Sequence, residues 1–139
     1  MVTGLHTART MSPNALEITV KVAWALLAVV HGLPALVLFA PGLARTLYGV
    51  DPEGTTGILV VHRGALFLAV VCACTLALLE PSARRAASLV TGLSIVGFLI
   101  VYARSGFPDG ALRTVALADV IALAPLMLVA YTAWRAPTV

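Results

Sequence analysis

Five polar side chains lie within otherwise apolar stretches of the sequence, and their residue types can support proton transfer, ion pairing or ligand binding. They are His31, His62, Arg63, Tyr102 and Asp119. Histidine titrates near neutral pH, and a carboxylate beside a histidine or arginine can hold or move a proton. A charged Asp or Arg at the centre of a membrane helix costs about 2.5–3.5 kcal/mol, so such residues need a function or a partner. Asp119 and His62 are therefore candidate catalytic residues, and all five are candidates for lining a ligand pocket.

Four long apolar stretches carry these side chains, and they predict membrane-spanning helices. The chain of 139 residues is 60% hydrophobic and 11% charged, whereas a soluble domain is about 45–50% apolar and about 25% charged. Each stretch falls within the range of about 17–25 residues that crosses roughly 30 Å of hydrocarbon as a helix. The stretches are 22–40, 58–79, 86–103 and 114–134. We predict an all-α, polytopic membrane protein: one up-down-up-down bundle of four transmembrane helices over 1–139, with a short polar segment at about 1–14.

The connections between the stretches define two ends of the predicted bundle. We call side A the end that holds both termini and the "EPSARRA" linker, and side B the end that holds the other two loops. The first of the side B loops is expected to contain a short helix at Leu43–Tyr48. Basic residues favour side A slightly, which by the positive-inside rule indicates a multi-pass protein of the cell membrane with cytoplasmic termini. Side A carries Arg9, Lys21, Arg84, Arg85 and Arg135, whereas side B carries Arg45, Arg104 and Arg113, with Arg63 able to reach it.

Charged residues near side A predict local contacts at the helix ends. Asn14 is followed three residues later by Glu17, which resembles a capping box. Glu17 and Lys21 are i,i+4 partners on the first helix. Glu80 and Arg84 are expected to pair at the end of the second helix, and an exposed pair of this kind contributes little specificity.

The polar residues at membrane depth are expected to share one pocket. At 1.5 Å per residue, His62 lies about 6 Å from side B, Asp119 about 8 Å and His31 about 14 Å. His62 precedes by three residues a stripe of alanines that predicts a packed helix face, so it is expected to point into the bundle. Asp119 is then expected to pair with His62 or Arg63 across the core, either as part of a functional pocket that opens toward side B or only to fix helix register. The stripe is Ala65, Ala69, Ala73 and Ala77.

The sequence offers few signs of a metal or haem site. Cys72 and Cys74 point about 200° apart on a helix and are expected to be small, buried and inert thiols. The depths of His31 and His62 differ by about 8 Å, which disfavours haem ligation by the two. The chain contains neither a "CxxCH" nor an "HExxH" motif. A quinone is the cofactor class that we retain, with no metal predicted.

The chain resembles the DoxX-like family of small four-helix membrane proteins. The points of resemblance are "HGLP" at 31–34, "HRGALFL" at 62–68 and the basic "PSARRAA" at 81–87, and the resemblance covers about 22–134. It implies the four-helix membrane fold, and for some members of that family it implies quinone-linked sulfur oxidation. The chain has an apolar stretch where a lysine is expected shortly after the "HG" of the first helix.

Three functional hypotheses follow from these features. The first is a multi-pass membrane protein that binds a lipophilic molecule, a quinone or an isoprenoid, in a polar intramembrane pocket. The second is a membrane-embedded oxidoreductase or proton-transferring enzyme subunit, so whether the chain is an enzyme stays open. The third is a structural or accessory subunit that packs in a homo-oligomer or a larger membrane complex. Nucleic acid is not an expected partner, because nine Lys and Arg residues scattered along the chain form no basic stripe.

Overall fold

The computed structural model describes residues 12–135, which form four long helices and one short helix. Within this range the elements are α1 (Pro13–Ala35), α2 (Leu43–Tyr48), α3 (Thr55–Leu79), α4 (Arg84–Arg104) and α5 (Ala111–Arg135), with short 3₁₀ turns at Leu36–Leu38 and Pro81–Ala83. The four long helices are each long and apolar enough to cross a membrane. The predicted all-α four-helix bundle is confirmed, and the short helix lies at the residues predicted for it.

The long helices pack in a ring in which α1 and α4 each contact α3 and α5. Helix α2 lies across the side B end of this ring, where it contacts α3, α5 and the 3₁₀ turn that follows α1. Its Ala44 is fully buried, and Gly49 ends it in the left-handed conformation that glycine adopts without strain. The side B end of the bundle is therefore covered by a separate short helix.

Local chemistry sets the ends of the helices. Helix α1 begins at Pro13, earlier than predicted, and the Ser12 side chain accepts a hydrogen bond from the Ala15 N–H at 3.3 Å. The predicted capping box at Asn14 is therefore wrong, because Ser12 is the cap and proline suits the first helical position. Helix α3 ends at Leu79 because Glu80 precedes Pro81 and adopts the extended conformation imposed by a following proline. The predicted polar segment at 1–14 lies largely outside the described residues.

The core lies in the side A half and the middle of the bundle. Trp24, Leu27, Cys74 and Ile95 are fully buried in it, and the Cys74 sulfur lies 3.3 Å from the Thr91 hydroxyl. The Trp24 indole N–H has no hydrogen-bond partner among residues 12–135. Burying it unpaired costs folding free energy that the packing of the large ring must offset.

The packed face of α3 differs from the predicted alanine stripe. Gly57, Gly64, Cys74 and Ala77 are buried, whereas Ala69 is exposed. Glycine permits a closer helix approach than alanine, so the face with glycines turns inward. The stripe prediction is therefore wrong at its middle. The prediction of two buried thiols is also wrong, because Cys72 is exposed.

An ion pair links the first and third transmembrane helices at side A. Both terminal nitrogens of Arg84 donate to the Glu17 carboxylate, at 2.6 and 3.0 Å, and its Nε donates to the Ala77 carbonyl at 3.1 Å. Arg84 thus joins α4 to α1 and also caps the carbonyl end of α3. The predicted i,i+4 contact of Glu17 with Lys21 is present at 3.9 Å, but the expected pairing of Arg84 with Glu80 is wrong.

Substituting Arg84→Gln is expected to lower the free energy of unfolding in detergent micelles by about 1–3 kcal/mol. The Arg84 side chain is only 12% exposed, and a broken buried pair costs about 3–5 kcal/mol. We reduce that figure because Glu17 is 44% exposed and solvent screens it. A double-mutant cycle with Glu17→Gln measures the coupling. Lys21→Gln is the control, expected to change stability by less than about 0.5 kcal/mol; equal effects of the two substitutions would contradict a structural role for the Arg84 clamp.

Candidate functional site

A cavity of about 240 Å³ lies in the side B half of the bundle, beneath α2. All four long helices and α2 contribute to its wall. Three of the five candidate residues, His31, Arg63 and Asp119, line it. The other lining residues are mostly apolar or aromatic: Val30, Leu33, Pro34, Thr46, Leu47, Tyr48, Phe67, Phe98, Ala111, Thr114, Val115 and Ala118. The cavity is therefore an apolar chamber with a few polar groups, the usual composition of a small-molecule site.

The His31 ring is held in one orientation by its own helix. Its Nδ1 lies 2.9 Å from the Leu27 carbonyl oxygen. Because a carbonyl oxygen only accepts, Nδ1 carries the proton and donates, which leaves Nε2 of the neutral ring as an acceptor. The ring is 2% exposed and lies 5.9 Å from the Phe67 ring, centroid to centroid. His31 thus offers a hydrogen-bond acceptor in a buried, fixed position.

Asp119 is the least compensated polar group of the cavity. It is 9% exposed, and its carboxyl group makes no hydrogen bond or ion pair with any residue from 12 to 135. Arg63 acts on it electrostatically without direct contact. A buried carboxyl without a hydrogen-bond partner is costly, and functional sites are where proteins retain such groups.

Arg63 is held by aromatic rings at the edge of the cavity. Its guanidinium carbon lies 5.2 Å from the centroid of the Phe67 ring and 5.4 Å from that of Phe98. Cations are attracted to ring faces at such distances, most strongly where water is absent. The rings therefore fix a positively charged hydrogen-bond donor beside the cavity, and they help to offset the cost of an arginine at membrane depth.

Tyr48 of α2 adds a further donor at the covered end of the cavity. Burial raises the pKa of its phenol above the ordinary value, with smaller opposing electrostatic effects of Arg63 and Asp119. The phenol therefore keeps its proton at neutral pH and can donate a hydrogen bond. Tyr48 lines the same cavity as Arg63 and Asp119.

The structure does not bring all the candidate residues together. His62 is exposed on α3 and does not line the cavity, so the prediction that it points into the bundle is wrong. Its face is shared with the exposed Ala69, because the packed face of α3 is the one that carries glycine. Tyr102 lies outside the cavity, where its hydroxyl donates to the Pro108 carbonyl at 3.1 Å.

The expected pairing of Asp119 is not observed. His62 faces another direction, and Arg63 makes no ion pair with Asp119 within the described range. The polar residues that share a cavity with Asp119 are instead Arg63 and His31, which come from α3 and α1. Asp119 therefore faces an open space with polar groups around it.

Sequence reasoning did not identify the aromatic wall of the cavity. Phe67 and Phe98 lie within apolar stretches and read as ordinary lipid-facing or core residues, and Tyr48 reads as an interfacial aromatic. One signal was present: Phe67 follows Arg63 by four residues, a spacing that places the two side chains together on a helix. Nothing in the sequence links Phe98 to them.

No group of three or more His, Cys, Asp and Glu side chains within residues 12–135 lies close enough to hold a metal ion.

Comparison with known proteins adds no assignment: no family model matches the chain, and neither curated proteins nor solved structures include a match.

Proposed function

We propose that this chain is a four-pass membrane protein that binds the head group of a lipophilic molecule, a quinone in the first place, in the cavity beneath α2. The observation that carries the proposal is the buried Asp119 carboxyl, which lines the cavity without a hydrogen-bond or ion-pair partner among residues 12–135. A ligand that donates a hydrogen bond to it offsets the cost of burying it.

The polar groups around the cavity favour a quinone head over a simple isoprenoid alcohol. Arg63 and Tyr48 provide donors, which suit the carbonyl oxygens of a quinone. His31 Nε2 and Asp119 provide acceptors, which suit the hydroxyl groups of its reduced form. The Phe67 and Phe98 rings provide flat apolar surfaces for the planar ring of a quinone and for its aromatic reduced form. An isoprenoid alcohol has a single hydroxyl group and would leave most of these groups without a partner.

The size of the cavity sets how much of the ligand it can enclose. Pockets that enclose drug-sized molecules have volumes of about 300–1,000 Å³, and this cavity measures about 240 Å³. It is therefore suited to a head group of one ring. A long hydrocarbon tail must leave the cavity and lie among helices or lipid.

Filling the cavity tests the proposal. Val115 is half-buried and lines the cavity, so Val115→Phe is expected to remove the space that a head group needs. Protein purified in mild detergent is analysed by lipid mass spectrometry and by ultraviolet absorbance. We expect a quinone-class lipophile with the wild type and at least a several-fold loss with Val115→Phe.

Ile121→Phe is the matched control, because Ile121 lies on the same helix, is 74% exposed and lines no described cavity. It is expected to retain the lipophile at the wild-type level. A wild-type protein without a bound lipophile that also fails to bind added decyl-benzoquinone would refute the proposal, as would equal retention by the two phenylalanine variants.

A further inference from the structure

A shallow apolar groove runs between α3 and α4 on the outer surface of the bundle, with a volume of about 410 Å³. It is lined by Arg63, Leu66, Phe67, Ala69, Val70, Val90, Leu93 and Ser94. Two of these residues, Arg63 and Phe67, also line the cavity beneath α2. The groove and the cavity therefore share a wall.

That shared wall consists of side chains rather than backbone. The Arg63 guanidinium rests on the Phe67 and Phe98 rings, and no hydrogen bond or ion pair holds it to another residue from 12 to 135. Exposed side chains change rotamer in picoseconds to nanoseconds, and Arg63 is exposed on its outer side. Arg63 and Phe67 are therefore the side chains that must rotate for the two spaces to join.

We propose that the groove between α3 and α4 holds the hydrocarbon tail of the ligand whose head lies in the cavity, and that Arg63 and Phe67 form the passage between them. This inference rests on the proposed function, because it assigns a tail site to the same ligand. The occupant is the tail of an amphiphile, since the groove continues a cavity too small to enclose a tailed molecule.

The direction of the groove agrees with this occupant. Arg63 is eight residues and Val70 fifteen residues from Thr55 at the side B end of α3, so the groove runs from about 12 Å to about 22 Å along the helix. It therefore leads from the depth of the cavity toward the middle of the bilayer. A membrane lipid has the same arrangement, with its polar head near one surface and its tail directed inward.

The second outer groove, between α4 and α5, lacks these features. It is lined by Leu99, Tyr102, Phe107, Asp109, Arg113, Ala116, Leu117 and Val120. None of these residues lines the cavity, and the Asp109–Arg113 ion pair at 3.2 Å lies in its wall. It is therefore the alternative location against which the proposal can be tested.

Photo-crosslinking locates the tail directly. The probe is a benzoquinone that carries a decyl tail with a terminal diazirine. It is bound to the wild-type protein in lipid nanodiscs and irradiated. Peptide mass spectrometry then identifies the residues that the probe has labelled. We expect labels on Leu66, Val90 and Leu93, suppressed by excess unlabelled decyl-benzoquinone. Labels in the groove between α4 and α5, or spread evenly over all outer faces, would overturn the tail site.

Affinity measurements separate the tail site from the head site. Ala69→Phe fills the groove and is expected to weaken binding of decyl-benzoquinone about tenfold, or about 1.4 kcal/mol, because the tail loses its space. The affinity of the tailless methyl analogue is expected to stay unchanged. Ala124→Phe, at an exposed alanine of α5 that lines no described cavity or groove, is expected to change neither. If Ala69→Phe is not monodisperse, the labelling pattern of the wild-type protein tests the tail site in its place.

The affinities distinguish failure of the tail site from failure of the proposed function. Equal affinity of Ala69→Phe and wild type for the tailed probe overturns the tail site alone. If neither the tailed nor the tailless quinone binds the wild-type protein, the proposed function itself fails, and the tail site fails with it.

Discussion

Substituting Asp119→Asn is expected to weaken binding of decyl-benzoquinone in its reduced form by about ten- to a hundredfold without unfolding the bundle. A hydrogen bond to a charged group contributes about 1.5–3 kcal/mol, and about 1.4 kcal/mol corresponds to a tenfold change in affinity. Asn has nearly the same shape as Asp, so packing around residue 119 is retained. Titration of detergent-solubilised protein, followed by quenching of tryptophan fluorescence, measures the change.

The control for this experiment is another aspartate of the side B half. Asp51 is exposed and lies 3.5 Å from Arg45 outside the cavity, so Asp51→Asn is expected to leave the affinity unchanged. If Asp119→Asn binds the reduced quinone as tightly as Asp51→Asn does, the carboxylate of Asp119 takes no part in binding. The buried Asp119 carboxyl would then no longer support the proposed function.

The fold was predictable because the length and composition of an apolar stretch identify a membrane helix. A run of about 20 apolar residues has one stable form in lipid, since the backbone must satisfy its own hydrogen bonds. The ends of the helices were less predictable. Ser12 extends α1 well before the apolar stretch at 22–40 begins, because a cap and a proline at the first position stabilise a helix start even where the side chains are polar.

The predicted rotation of α3 about its axis is wrong, and this changes which side chains reach the site. The alanine stripe and the glycines at 57 and 64 lie on neighbouring faces of the same helix, and hydropathy does not separate them because both are apolar. Choosing the alanine face placed His62 inside the bundle. The observed rotation places Arg63 at the cavity instead and leaves His62 exposed.

Contacts between residues that lie far apart in the sequence could not be predicted from it. Glu17 and Arg84 are 67 residues apart, and local spacing favoured Glu80 as the partner of Arg84. Local spacing likewise does not indicate Phe98 as a partner of Arg63. By contrast, the depth of the polar residues follows from counting along each helix, so their location in the side B half was predictable from 1.5 Å per residue.

The two ends of the bundle are built differently, and this difference agrees with a binding site at side B. At side A, Arg84 bonds to Glu17 and to the end of α3, and Trp134 donates to Ser88 at 3.2 Å. At side B, residues of all four long helices and of α2 line the cavity. Polar contacts therefore hold the helices together at side A, and the cavity lies at the opposite end.

Gly64 controls how closely α3 approaches the end of α1, and substituting Gly64→Ala is expected to lower the free energy of unfolding by up to about 2 kcal/mol, the overpacking cost less the gain in helix propensity. A Cβ atom at residue 64 would lie 2.9 Å from the backbone nitrogen of Leu38. Backbone atoms cannot move aside as a flexible side chain can, so the two helices must separate by a few tenths of an ångström. Alanine improves helix propensity by about 1 kcal/mol over glycine, but overpacking costs about 1–3 kcal/mol, and a larger side chain in Gly64→Leu should exceed that range.

Gly97 provides the matched control that isolates the close approach from helix propensity. It lies within α4, and an added Cβ there meets no atom within 4 Å, so Gly97→Ala gains propensity without a clash. We expect thermal unfolding in detergent to show Gly97→Ala at or above the wild-type midpoint and Gly64→Ala below it. Gly64 neighbours Arg63, so separating α3 from Leu38 also moves Arg63 and Phe67, which both lie on α3, relative to the Phe98 ring of α4. Gly64→Ala should therefore bind decyl-benzoquinone more weakly as well. Equal midpoints for the two alanine variants would mean that α3 and the turn after α1 do not meet as closely as the cavity requires.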